Sequence, residues 1–326
     1  MRGSQGVPSK DRRLVRLLAA TIFLAGGAGA DEPARTVLED TPGDGEYAQG
    51  APESCLVCHD QTSVTAILKG PHAVRGDRRT PFAKHACETC HGPGAGHVAS
   101  PGPMPVRFGP EHPAQAQNAV CLGCHQGGAR IHWAGSPHES HDVACAACHD
   151  VHAEQDRVLT KDVRPETFVK DDASQVCFGC HPQVRAQLYR RSAHPLRQGR
   201  VACSGCHAVH GSVTRALLTE ETLNETCYEC HAEKRGPFLW EHTPAREDCL
   251  NCHVPHGSNH PALLEARTPW LCQECHAAAF HPSSAYTGAG LPGNGTPNRN
   301  LLLRNCQNCH TEVHGSNHPS GVRLTR

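Results

Sequence analysis

Apolar residues along this 326-residue chain fall in short, irregular clusters and keep no sustained period. The one long apolar run, Leu17–Ala25, lies near the N-terminus. It is short for a hydrocarbon layer about 30 Å thick, so no transmembrane helix is predicted for the mature chain. Regular segments of about ten alternating residues are absent, so membrane-barrel strands are not predicted either. The pattern instead predicts short helices with loops between them, as over Val184–Arg191, and almost no β-sheet.

The apolar run belongs to an export signal. Arg2, Lys10, Arg12, Arg13 and Arg16 precede it, and Ala28-Gly29-Ala30 satisfies the small-residue rule for cleavage. Residues 1–30 are therefore read as a cleaved secretion signal, with Asp31 first in the mature chain. Arg12-Arg13 resembles a twin-arginine signal. The general secretory route fits better, because the chemistry below needs an unfolded chain outside the cytoplasm. Residues 31–54 form a polar leader, and residues 55–326 carry every cysteine.

Composition changes the picture of the interior. Trp, Tyr and Phe number 3, 4 and 7, too few to fill a conventional core in a chain this long. The residues in surplus are histidine (26) and cysteine (20), both metal ligands. Net charge is −1, and −5 once residues 1–30 are removed, so no bulk basic field is offered to nucleic acid.

All the cysteines fall in C-x-x-C-H pentapeptides. The pairs are Cys55/Cys58, Cys87/Cys90, Cys121/Cys124, Cys145/Cys148, Cys177/Cys180, Cys203/Cys206, Cys227/Cys230, Cys249/Cys252, Cys272/Cys275 and Cys306/Cys309. The histidines that follow are His59, His91, His125, His149, His181, His207, His231, His253, His276 and His310. Disulfides, zinc ribbons or thioredoxin-like sites would use the cysteines, but none requires a histidine after every pair. With 26 histidines in 326 residues, ten of ten by chance is on the order of 10⁻¹¹. C-x-x-C-H is the attachment signature of c-type haem. Two thiols add across the vinyl groups, and the adjacent imidazole meets the iron on one face. Ten motifs predict ten covalently attached c-type haems, each with its iron.

A second period lies over the first. The motifs pair into five dihaem units starting at Cys55, Cys121, Cys177, Cys227 and Cys272. Each unit carries two further histidines in recurrent places. One follows the leading motif: His72, His138, His194, His242 and His281. The other closely follows the trailing motif: His97, His152, His210, His256 and His314. These ten are the expected distal iron ligands, so supply equals demand. His260 and His318 share His-Gly-Ser-Asn-His-Pro segments with His256 and His314 and could replace them; the first histidine of each is preferred. In Cys-His-x-x-His the second imidazole cannot reach the far face of its own haem. His152, His210 and His256 are therefore expected to serve neighbouring haems. His85, His112, His132 and His141 are left as surface residues or propionate partners.

This supply of ligands points to electron transfer. Met104 is the one methionine of the mature chain, so bis-histidine ligation and low potentials are expected. An enzyme needs an open iron position, and none is evident. Gly-rich phosphate loops, nucleophile elbows and H-E-x-x-H are absent, so no catalytic residue is assigned.

Cys90-His-Gly-Pro-Gly-Ala-Gly-His97, Ser-Pro-His138-Glu and the Cys-His-x-x-His-Gly units at His210 and His256 resemble the MtrA/DmsE family of decahaem c-type cytochromes. The resemblance runs from Cys55 to His318. It implies a periplasmic, elongated, haem-cored chain with bis-histidine ligation. Many members sit in an outer-membrane β-barrel porin and pass electrons between a periplasmic donor and an extracellular cytochrome. Others feed an extracellular reductase. Ten macrocycles in file would exceed the roughly 30 Å hydrocarbon layer. A polar exterior cannot face lipid, so a spanning role requires a protein sleeve. The alternative is a soluble periplasmic electron carrier or store.

Overall fold

The computed structural model describes residues 45–153, 173–276, 305–319 and 321–325. The secretion signal, most of the leader, His281 and the Pro282–Asn305 loop up to residue 304 lie outside the described residues. All ten motifs belong to one unit, Asp40–Arg326.

Helices are short and loops are many. The longest described helix, Ala114–Leu122, has nine residues. Among the described residues, β-pairing is limited to isolated bridges such as Ser192–Ser258 and Trp240–Ser316. The helix expected over Val184–Arg191 begins earlier and ends sooner, at Pro182–Gln187. Proline at its first turn presets a helical φ. Past Gln187 the chain leaves to form the bridge at Ser192.

Each C-x-x-C-H motif is one helical turn. In all ten, the histidine N–H donates to the carbonyl of the first cysteine, at 2.9–3.0 Å. That i→i+4 closure places the two cysteines, three residues apart, on one face. In the five leading motifs the first cysteine lies inside an α-helix, as Cys121 does in Ala114–Leu122 and Cys227 in Leu223–Tyr228. The trailing motifs at Cys203, Cys249 and Cys306 are bare 3-10 turns.

A buried asparagine joins the two motifs of a unit. Asn224, three residues before Cys227, accepts from the Cys249 N–H at 2.9 Å and donates to the Arg246 carbonyl at 2.9 Å. Asn118 does the same in the second unit, with Cys145 N–H at 2.6 Å and the Val143 carbonyl at 3.0 Å. Ser174 occupies this position in the third unit and bonds the Cys203 side chain. Asn224→Ala leaves a part-buried N–H and carbonyl unpaired, which costs about 1–3 kcal/mol. A lower denaturation midpoint with unchanged haem mass is the expected result.

Successive units lock through backbone. Ser192 and Ser258 exchange N–H···O bonds of 2.9 and 2.7 Å, and Trp240 and Ser316 exchange two of 2.9 Å. Gly211, Gly257 and Gly315, which follow His210, His256 and His314, sit at positive φ where the chain meets the preceding unit. A Cβ on Gly257 would overlap the Gln187 carbonyl. The apolar side chains buried among the described residues are few: Ala66, Phe82, Ala86, Val106, Trp133, Leu188 and Leu217. The polypeptide alone does not close a conventional core.

Candidate functional site

Among the described residues, nine motif histidines are seen to face a second imidazole. The ring-centroid separations are 6.1 Å for His59–His97, 6.4 Å for His91–His152, 6.0 Å for His72–His125 and 5.9 Å for His149–His210. They are 6.4 Å for His138–His181, 6.0 Å for His207–His256 and 6.4 Å for His194–His231. The remaining two, His253–His314 and His242–His276, lie at 6.1 Å.

This spacing fits one metal held between two imidazoles. Metal–imidazole bonds of about 2.0–2.1 Å, plus roughly 1.1 Å from ring nitrogen to ring centre, place two trans imidazoles about 6.3 Å apart. By contrast, the ring contact between Tyr47 and His85 is 3.7 Å. The nine pairs thus hold room for one metal between rings.

Ring orientation is fixed by backbone carbonyls, which can only accept. Nδ1 of motif residues His207, His253 and His310 donates to the Ala216, Ala262 and Arg323 carbonyls at 2.8, 2.8 and 2.6 Å. These carbonyls are presented by turns in which Leu217, Leu263 and Leu324 hold φ of 54, 57 and 54°. Among the facing histidines, His138, His194 and His242 donate to Val209, Pro255 and Val313 at 2.8, 2.6 and 2.9 Å. His152 donates to Val64 at 3.0 Å. With Nδ1 protonated, Nε2 keeps its lone pair, the state a metal needs. Burial pushes His72, His91, His125, His210, His256 and His314 below the ordinary imidazole range, which favours the same neutral form.

The pairing follows a rule that spacing alone did not reveal. The histidine after a leading motif faces the leading motif of the next unit, as in His72–His125, His138–His181, His194–His231 and His242–His276. The histidine after a trailing motif faces the trailing motif of the previous unit, as in His152–His91, His210–His149, His256–His207 and His314–His253. These reach the next motif but one, not the adjacent haem. His97 turns back to His59 within its own unit. His256 and His314, the first histidines of their His-Gly-Ser-Asn-His-Pro segments, face motif rings. His281, expected in the fifth unit, lies outside the described residues. His141 instead closes its own turn onto the Pro137 carbonyl at 2.7 Å.

The sulfurs give the order of the motifs. Within units, Cys87 interacts with Cys55, Cys121 with Cys145, Cys177 with Cys203, Cys227 with Cys249, and Cys272 with Cys306. Between units, Cys90 meets Cys124, Cys148 meets Cys177, Cys206 meets Cys230, and Cys252 meets Cys275. Each motif therefore adjoins the next in sequence order, from Cys55 to Cys309. None of the cysteines forms a disulfide. Among the described residues, no three His, Cys, Asp or Glu side chains converge on a single metal position. Sulfurs beside facing imidazoles fit a covalently held haem iron. No described helix is long and apolar enough to cross a membrane.

The two cysteines of a motif are not equivalent, which the sequence treats alike. The first is half-buried in every motif, whereas the second is exposed in seven: Cys58, Cys124, Cys180, Cys206, Cys230, Cys275 and Cys309. The reason is local. The histidine N–H closes its turn on the carbonyl of the first cysteine, Cys55 or Cys177, which holds that residue in the helix. The second cysteine lies at the open end of the turn: Cys180 ends its helix, and Cys58 lies in the turn that follows the helix ending at Leu56. A metal ligand shared among protein side chains would be enclosed by them. A thiol that adds to a vinyl group at the rim of a macrocycle has no such need.

Sequence reasoning missed Asn118, Asn224 and Ser174. Their signal was a polar residue three places before the leading cysteine in three consecutive units.

Comparison with known proteins agrees. The doubled CXXCH motif family matches residues 194–236 and 242–281. Its frame is offset by one motif from the units used here, as a periodic chain allows. The cytochrome c-type protein NrfB-like family matches residues 87–169. The chain is 44% identical to the multiheme cytochrome MtrA of Shewanella baltica, over 90% of this chain and 87% of that protein. It is 30% identical to the cytochrome c-type protein NrfB of Escherichia coli O6:H1, over 40% of this chain and 66% of that one.

Proposed function

The chain belongs to the MtrA family of multihaem cytochromes, and on that premise we propose that it is an exported, periplasmic decahaem relay carrying electrons across the outer membrane inside a β-barrel porin. The observation that carries the relay is the set of nine imidazole pairs at 5.9–6.4 Å, strung through motifs that adjoin in sequence order. Each haem supplies a one-electron iron couple. The chain's own residues do the rest. The twenty cysteines, Cys58 and Cys180 among them, would anchor the haems, and the ten motif histidines would each hold iron through one nitrogen.

The facing histidines provide the other nitrogen. His97 serves the site of His59, His152 that of His91, His72 that of His125, and His210 that of His149. His138, His256 and His194 serve those of His181, His207 and His231. His314 and His242 serve those of His253 and His276. His281 lies outside the described residues and is proposed as the tenth ligand from its place in the repeat. Thioether ligation is replaced throughout by imidazole, which favours low potentials. With two imidazoles to hold each iron, the sites would relay electrons rather than activate substrate.

The conduit is tested by partner and place. Membranes should retain the protein with a large β-barrel, and vesicles carrying both should reduce an enclosed dye from outside. A protein that leaves membranes without detergent and purifies alone would instead be a soluble periplasmic carrier. Ligation is tested at one residue. His210→Ala should leave ten haems attached by mass and turn one, that of His149, high-spin; a spectrum that stays wholly low-spin contradicts the assignment.

A further inference from the structure

The second unit differs from its neighbours in the segment between Gly127 and Pro137. Five and eight residues after the motif histidine it carries Arg130 and Trp133, where the first unit has Val64 and Ile67 and the third has Ala186 and Tyr189. Arg130 ends a 3-10 turn, Gly128–Arg130, and its carbonyl accepts from the Trp133 N–H at 3.0 Å. Trp133 is 7% exposed. Both side chains bury a donor, Arg130 Nε and Trp133 Nε1, that finds no acceptor among the described residues.

A buried donor without an acceptor costs about 1–3 kcal/mol, more when charged. Two such donors within four residues point to an acceptor that the polypeptide does not supply. Their surroundings say where it lies. The Trp133 ring is 6.5 Å from that of His210, at 55°. Arg130, five residues after His125 and three before Trp133, lies on the segment that runs from the His72–His125 pair to the His149–His210 pair. A cavity of about 290 Å³ opens beside His210, lined by Gly128, Ala129, Ile131 and His132 of the same segment.

We propose that Arg130 and Trp133 form a carboxylate-binding site for a haem propionate at the junction of the third and fourth haems, and that Arg130 sets the potential of this junction. The proposal rests on the ligation given under the proposed function. Guanidinium and indole N–H are strong donors for a carboxylate. A fixed cation beside an iron stabilises the reduced state, which carries one positive charge less. Arg130 therefore raises the reduction potential here relative to units that have valine or alanine in its place, and makes this junction the easiest of its neighbourhood to reduce.

The test is a potentiometric titration of the whole haem-loaded protein, followed optically. Arg130→Gln should shift about one or two of the ten haems downward by a roughly tenfold change in the one-electron equilibrium, about 59 mV. Arg130→Lys, which keeps the charge, should stay close to the parent curve. Trp133→Phe keeps the ring and drops the donor; its shift should be smaller and of the same sign. Unchanged potentials in Arg130→Gln, or equal shifts in Arg130→Gln and Arg130→Lys, overturn the proposal. If Arg130→Gln does not load haem, Trp133→Phe decides: a downward shift supports the site and a parent curve overturns it. Ligation is read separately in the same samples: a high-spin signal in the parent protein would count against the histidine pairs, whatever the potentials.

Discussion

Replacing Cys203 and Cys206 together by alanine is expected to remove one haem from the middle of the relay and to slow end-to-end electron transfer by orders of magnitude. Haem attachment by these two sulfurs is covalent, so intact mass should fall by one haem. The effect on transfer follows from order. Cys203 adjoins Cys177 on one side, and Cys206 adjoins Cys230 on the other. Motifs contact their sequence neighbours, so an electron passing from the Cys177 motif to the Cys227 motif would have to cross the gap in one step. Stopped-flow reduction from one end should show a fast phase for the near haems and a slow one for the far haems. A single fast phase for all remaining haems would mean that the order is not serial.

Gly257→Ala should be among the most damaging single-methyl changes outside the motifs. Gly257 has φ +153°, and an added Cβ would run into the carbonyl oxygen and carbon of Gln187, with the Ser192 carbonyl also close at 3.4 Å. All three are backbone atoms of the preceding unit, and Ser192 is held by its bridge to Ser258. Relief requires the units to part. The cost is about 2–4 kcal/mol. Parting would also draw His256 away from His207, now 6.0 Å between ring centres. The expected result is a lower unfolding midpoint together with one high-spin haem. A Gly257→Ala protein that matched the parent in both would show that the joint is slack.

Much of the site is legible in the sequence because covalent attachment permits so little variation. The pentapeptide fixes both thiols and one imidazole within a single helical turn, and the ten backbone closures at 2.9–3.0 Å follow from that. The recurrent places of His72, His138, His194 and His242, and of His152, His210, His256 and His314, are also legible as spacing. What spacing does not carry is destination. His138 faces His181, 43 positions on, and His210 faces His149, 61 positions back. Such pairs join different units, and local chain length sets no limit on them. Nor does the pentapeptide say that Cys58 and Cys180 stand exposed while Cys55 and Cys177 are half-buried. The glycine after His210, His256 and His314 is readable as a repeat, yet its reason lies in the unit before: backbone at Gly211 and Gly257, the Phe238 ring at Gly315. Asn118 and Asn224 look like helix polar residues until the Cys145 and Cys249 N–H groups are found on them. Arg130 looks like a solvated cation until its Nε proves buried. The near absence of sheet and the shortness of the helices follow more directly, from Gly, Pro and a chain with few aromatics.

The account stands most directly on a count of low-spin iron. The fully oxidised, haem-loaded protein should give ten haems per chain by intact mass, and ten low-spin ferric spins per chain by quantitative electron paramagnetic resonance. A mass short of ten haems, or one or more equivalents of high-spin iron, would contradict a fully bis-histidine relay.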